Sequence, residues 1–136
     1  MRTEKKQKLA QLRRWRVRRK VCGTKERPRM SVCFTNKNIH VQFIDDAAGV
    51  TLAAVSTTSK AAPDREPLAA NVAGAKLIGK LAAETALAKG IKTVVFDRSD
   101  ARYHRSENKD KDGKPVLVFG KLATLAEAAR AAGLKF

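Results

Sequence analysis

An α/β domain with one mixed sheet, covered by helices on one face and preceded by a basic N-terminal arm, is the fold class this sequence predicts. Three observations carry that expectation. Cations crowd the start: the first 29 residues hold 13 Lys and Arg against Glu4 and Glu26, in a chain of net charge +16. From Met30 onward apolar and polar residues alternate with period two, as in half-buried strands, and two Ala-rich stretches carry apolar residues at helical spacing. With 136 residues, 43% hydrophobic but only 5% aromatic, the chain fits one domain with a core mainly of Ala, Val, Leu and Ile.

The arm comprises residues 1–29 and the α/β domain residues 30–136. Arg13 to Lys20 reads Arg-Arg-Trp-Arg-Val-Arg-Arg-Lys, six cations in eight residues. Such density serves a nucleic acid, an anionic membrane surface or an import receptor. A membrane-surface helix needs a wide apolar face. Between Leu9 and Val21 only Leu9, Ala10, Leu12, Trp15 and Val17 are apolar, with cations on every side, so nucleic acid is the expected partner and a membrane is not. A solvated, disordered tail has the same composition, and like charges at i and i+4 repel, so the free arm is expected to gain helix only on binding.

Arg27-Pro28 stops helical continuation. Met30, Val32 and Phe34 then alternate with Ser31, Cys33 and Thr35, giving a first strand. Asn36-Lys37 supplies a two-residue turn, with Asn36 tolerating positive φ, and Asn38 to Ile44 sets Ile39, Val41 and Phe43 against Asn38, His40 and Gln42. Asp45 to Gly49 makes a longer hairpin loop, with Gly49 in left-handed geometry, before a third strand, Val50 to Thr57. Thr58 to Pro67 is polar, holds two prolines and reads as a loop. Leu68 to Lys89 is a long helix with Val72, Ala75, Ile78 or Gly79, Ala82 and Ala86 inward. Thr93 to Phe96 is short and apolar, as expected of a parallel strand buried on both faces. A second domain helix, Leu122 to Ala132, turns Leu122, Leu125, Ala126 and Ala129 inward. It ends at Gly133, and Leu134 and Phe136 fold back onto the core. The order is arm, β, β, β, α, β, α.

If both helices cover one sheet face, the other shows Ser31, Thr35, Asn38, His40, Gln42 and Thr57. Hydroxyls and amides beside a cationic arm suit an RNA groove, and they equally suit a plain solvated face. Cys22 and Cys33 lack C-x-x-C spacing and read as reduced thiols, with Cys33 packed in its strand; with His40 and His104 they match no zinc module. No cofactor, metal or small-molecule substrate is expected. No run approaches the roughly 18 apolar residues of a membrane span, and no apolar segment follows the basic start as in a secretory signal, so the expected location is the cytoplasm.

Several runs together resemble the bacterial large-subunit ribosomal protein family that binds 5S rRNA, the L-eighteen family. They are Gly23-Thr24-Lys25-Glu26-Arg27-Pro28-Arg29-Met30-Ser31-Val32, Thr35 to Asp46, Gly49 to Ala53, Ala88 to Arg98 with its Phe96-Asp97-Arg98 end, Tyr103-His104, and Leu125 to Phe136. The resemblance covers nearly the whole chain in order. It implies a βββαβα domain of the ribonuclease-H-like motif, located in the central protuberance of the large ribosomal subunit in the cytoplasm. There it would bind 5S rRNA through arm and sheet and help attach it to large-subunit rRNA, beside neighbouring ribosomal proteins. One departure stands out: the family runs Tyr-His-Gly-Arg into its last helix, whereas here residues 105–119 intervene before Gly120-Lys121. Lys121 replaces the usual Arg, keeping charge without the planar fork. Asp112-Gly113 followed by Val116 to Phe119 suggests a hairpin in this insertion, either a ribbon reaching neighbouring rRNA or protein, or a tolerated surface feature.

Arg13, Arg14, Arg16, Arg18, Arg19 and Lys20 are expected to meet phosphates, and Arg27, Arg29 and Lys37 to position the RNA backbone. Thr35, Asn36, Asn38, His40 and Gln42 face the RNA from the sheet. Trp15 either stacks on a base or packs on its own domain. By the resemblance Arg98, Tyr103, His104 and Lys121 lie near RNA, although a Tyr-His pair before a loop is often structural. No enzyme is expected. A ribonuclease-H-like nuclease needs converging carboxylates, but the first strand has no acid, the long helix has Glu84 alone in its interior, and Asp97 stands without evident partners. G-x-S-x-G, P-loop and H-E-x-x-H are absent, and Asp97 is expected to fix its loop by hydrogen bonds. The alternative to 5S binding is a basic regulatory or chaperone-like protein that binds RNA without that specificity.

Overall fold

A computed structural model describes residues 2–59, 69–99, 101–109 and 111–136. The arm is an α-helix, α1 (Thr3–Arg18), none of whose residues is buried. Strands β1 (Arg29–Phe34), β2 (Ile39–Asp45) and β3 (Val50–Ser56) follow, then helix α2 (Val72–Ala88) and strand β4 (Val95–Asp97). The sheet order is β3-β2-β1-β4, antiparallel except for the parallel β1–β4 pair. A separate ribbon, β5 (Arg105–Lys109) and β6 (Pro115–Phe119), precedes helix α3 (Lys121–Ala131). Apart from the ribbon, this is the expected mixed sheet in βββαβα order.

Alternation decides which face is covered. Met30 and Val32 from β1, Ile39, Val41 and Phe43 from β2, and Ala53 and Val55 from β3 are buried against α2 and α3. Phe43 is fully buried, and truncating such a side chain to Ala costs about 3–5 kcal/mol. The stripes on α2 and α3 are mostly alanine, which lets the helices approach closely. At Gly79 even a Cβ would run into the Leu125 carbonyl oxygen. Glycine inside a helix costs about 1 kcal/mol relative to Ala, and the tight α2–α3 contact offsets that here.

Several expectations change in detail. The expected helix start at Leu68 lies outside the described residues; α2 begins after Asn71, whose side chain accepts a hydrogen bond from Gly74 N at 2.7 Å. Val72 is 48% exposed and is not part of the inner stripe, because the first turn faces outward ahead of Gly74 and Ala75. Asn36 has no positive φ. The Thr35 hydroxyl closes the turn instead, accepting from Asn38 N and donating to Asn38 O at 2.9 and 3.0 Å. β4 is parallel to β1 as expected, but it is a sheet edge with Val95 and Phe96 half-buried. The C-terminus covers this edge: Val94 N donates to Lys135 O, Leu134 is buried and Phe136 stacks on Phe96 at 5.0 Å. Gly49 and Gly133 take the expected positive φ.

Candidate nucleic-acid interface

The uncovered sheet face is polar and nearly neutral. Its rows follow from register: Cys33, His40 and Ser56 lie side by side across β1, β2 and β3, and Asp97, Ser31, Gln42 and Ala54 form the next row from β4. His40 and Gln42 are on this face, as the alternation predicts. Thr57 is not. It continues the parity of Ala53 and Val55, is 5% exposed, accepts from Ile39 N and donates to Asn38 Oδ1 at 3.0 Å, so Ser56 takes its place. Cys33 is exposed rather than packed, because it shares the parity of Ser31. The Thr35 hydroxyl and the Asn38 carbonyl oxygens are occupied by the turn and by Thr57, while Asn36 and Lys37 are exposed at the tip.

The C-terminal turns of α1 stand beside this face and wall a cleft of about 450 Å³. Arg13, Arg14, Val17 and Arg18 form one side; Arg29, Ser31, Cys33, Asp97 and Ser99 form the other. At about 100° per residue, Trp15 and Arg16 project from the opposite side of α1, followed by Arg19. Trp15 is 59% exposed, so of its two expected placements the packed one does not occur. Arg19, Lys20, Arg27, Arg98 and Lys121 are all exposed; the Arg27 Nε–H donates to Val94 O at 3.4 Å, and Lys121 borders a smaller hollow with Phe34 and Arg102.

One carboxylate ties arm to sheet. Asp46 accepts from Arg29 Nε and Nη2 at 2.9 and 3.1 Å, from Arg18 Nη2 at 2.9 Å and from Gly23 N at 2.8 Å. Hydrogen bonds from Arg29 and then Arg18 hold its carboxyl well below the usual range, against the opposing effect of burial. Arg29 also donates from Nη1 to Asp97 Oδ2 at 2.9 Å. Burial alone would lower the Arg29 pKa, but its bonds to Asp46 and Asp97 raise it. The expected phosphate-positioning role of Arg29 is therefore corrected: it is 8% exposed and three of its N–H groups go to carboxylates. Asp97, expected to lack partners, has Arg29, and as expected it fixes its loop, accepting from Ser99 N at 2.9 Å. Ser99 adopts φ 53°, a left-handed conformation costing a non-glycine residue about 1–2 kcal/mol.

Gly23 makes this junction possible. A Cβ there would meet Arg29 N and Ile44 O, so only glycine lets the chain pass from α1 into the sheet so closely. Asp46 and Ser99 are the residues sequence reasoning missed. The signal for Asp46 was an acidic pair, Asp45-Asp46, in a strongly cationic chain; Asp45 is the local one, accepting from Ala47 N and Ala48 N. Tyr103 is exposed and bonded to α3. Its hydroxyl donates to Glu127 Oε1 at 2.9 Å and accepts from Arg130 Nη1, which also pairs with Glu127 at 2.8 Å, and the Arg130 guanidinium lies 4.5 Å from the Phe136 ring centre. Burial would lower the Arg130 pKa, but the bonds to Tyr103 and Glu127 raise it. His104 is exposed and its carbonyl oxygen accepts from Gly120 N at 2.8 Å.

Among the described residues no group of three or more His, Cys, Asp or Glu side chains could hold a metal ion, and no helix is long and apolar enough to cross a membrane. A neutral polar sheet face beside an exposed cationic helix defines the class as a basic α/β protein. Residues 4–108 match the family described as Ribosomal L18 of archaea, bacteria, mitochondria and chloroplast. The chain is 45% identical over 131 residues to large ribosomal subunit protein uL18 of Petrotoga mobilis, covering 96% of this chain and 95% of the relative. It is 48% identical over 121 residues to uL18 of Clostridium beijerinckii, covering 89% and 87%, and 45% identical over 131 residues to uL18 of Lacticaseibacillus casei, covering 96% and 95%. The chain belongs to the ribosomal L18 family of the large subunit, whose members are structural ribosomal proteins and not enzymes.

Proposed function

We propose that this chain binds 5S rRNA through the cleft between α1 and the uncovered sheet face and helps attach that RNA to large-subunit rRNA in the central protuberance. The observation that carries the proposal is the placement of Arg13, Arg14 and Arg18 opposite Ser31 and Cys33 across one cleft, with His40 and Gln42 continuing the polar face. Arg13 and Arg14 meet phosphates and Arg18, paired with Asp46, holds the helix in place, while the neutral face, which does not compete for the cations, reads sugar hydroxyls and RNA shape. The signature runs shared with the 5S-binding family support the choice of RNA. Trp15, Arg16 and Arg19, on the far side of α1, are available to a second RNA segment, which suits a linking role. Arg29 acts by holding the cleft's geometry.

The test is binding of the full chain to 5S rRNA and to a transfer RNA at low and near-physiological salt. The expected result is a preference for 5S rRNA of about a hundredfold or more at the higher salt, approaching the roughly thousandfold at which typical specific over non-specific ratios begin. Equal affinities that collapse together with salt would mean that the arm binds any RNA as a polyanion, the behaviour of a basic RNA-binding regulator.

A further inference from the structure

The β5–β6 ribbon carries chemistry that the RNA cleft does not use. In register, Arg105 faces Phe119, Ser106 faces Val118, Glu107 faces Leu117, Asn108 faces Val116 and Lys109 faces Pro115. Directly opposed residues share a face of an antiparallel pair. The polarity difference therefore runs between the strands, not between the faces: β5 is polar on both faces and β6 is apolar on both.

A strand that is apolar on both faces has the pattern of a strand covered on both faces. Yet β6 is exposed, and it is also an edge. Its one strand neighbour among the described residues is β5, and Val116, Leu117 and Val118 are 37%, 42% and 41% exposed. Natural proteins blunt exposed edges with charges. β5 obeys that rule with Arg105, Glu107 and Lys109, and β6 does not.

Charge separates the possible partners. Residues 105–119 hold four Lys and Arg against three Asp and Glu, a net of +1 in a chain of +16, so the ribbon adds almost nothing to attraction for RNA. RNA also offers no peptide groups to pair with a strand edge. An extended protein segment offers both main-chain partners and apolar side chains. We propose that β6 is a docking edge for a neighbouring protein of the large subunit, whose extended apolar segment pairs with Pro115–Phe119 and makes β6 the middle strand of a three-stranded sheet.

The test uses full-length protein carrying Leu117→p-benzoylphenylalanine, assembled into large subunits and irradiated. The expected product is a cross-link to a different ribosomal protein; a cross-link only to rRNA, only to a second copy of this chain, or none would overturn the proposal. A second variant, Val116→Lys with Val118→Lys, is supplied in equal amount with the unsubstituted chain during assembly. Its share of the subunits is expected to fall about tenfold while its 5S rRNA affinity stays within twofold. An equal share, or a loss of 5S affinity that puts the ribbon in the RNA interface, would sink the idea. The 5S affinity of the unsubstituted chain is measured alongside, so the RNA proposal and the docking proposal fail separately.

Discussion

The arm and the ribbon both leave the domain without contributing a buried residue, yet they are attached in opposite ways. α1 is fixed by charge: Arg18 and Arg29 converge on Asp46, and Gly23 lets the backbone close on the same carboxylate. The ribbon is fixed at its base by main chain, where Gly120 N meets His104 O, and by the Arg105 guanidinium 5.7 Å from the Phe119 ring centre. One extension is cationic and held at a set position against the sheet; the other is nearly neutral and projects an apolar edge. On the two proposals above each complements its partner, a polyanion for the arm and a protein for the ribbon.

The largest expected effect breaks the arm. Replacing Arg13, Arg16 and Arg19 together by Ala removes three of the proposed phosphate contacts, so 5S rRNA affinity should fall on the order of a hundredfold at near-physiological salt. The log–log salt slope should become shallower by about 2–3, with thermal stability unchanged. A binding titration across salt concentrations measures both.

Next comes the anchor. Asp46→Ala should cost about 2 kcal/mol of stability, as expected for charged hydrogen bonds, and should reduce the preference for 5S rRNA over transfer RNA. Simple electrostatics predicts the reverse, since removing an acid makes the cleft more positive. A variant with stronger and equally specific binding would show that Asp46 does not position the arm. Because the Asp46 pKa is lowered on folding, its stabilisation is present above the unfolded value of about 4 and is lost as pH falls below it. Denaturation of the two proteins from pH 7 to pH 3 should show the gap between them narrowing in acid.

Trp15→Ala should leave folding untouched and weaken 5S rRNA binding about tenfold, the value of one stacked base. Fluorescence of this single tryptophan on RNA addition checks the contact independently. The smallest effect is expected from joining His104 directly to Gly120 by deleting residues 105–119. The two ends already share a hydrogen bond, so the gap closes easily; stability should stay within about 0.5 kcal/mol and 5S affinity within twofold. A large loss of 5S binding would erase the contrast between the two extensions.

Much of this protein is legible one residue at a time. Period-two alternation in Met30 to Phe43 identified the buried and open faces of β1 and β2, including His40 and Gln42, because a strand's parity is set by its own backbone. At β3 the expected open-face place of Thr57 does not hold: past the register shift at Phe43/Ile44, Thr57 shares the covered face with Ala53 and Val55. The hairpin in the insertion showed in its Asp112-Gly113 turn, but the opposed polarity of its two strands needed the pairing.

Composition and pattern alone therefore determined the βββαβα order, the basic arm, the small-residue core and the family resemblance, because each follows from local periodicity or a contiguous run. Tertiary structure alone decided that Arg29 is an internal ion-pair partner and not a phosphate contact, that Asp46 joins the arm to the sheet, and that Tyr103 belongs to the α3 network with Glu127 and Arg130. The reason is physical. A guanidinium's role is set by which carboxylates lie within about 3 Å of it, and those come from residues 17 and 68 positions away in the sequence.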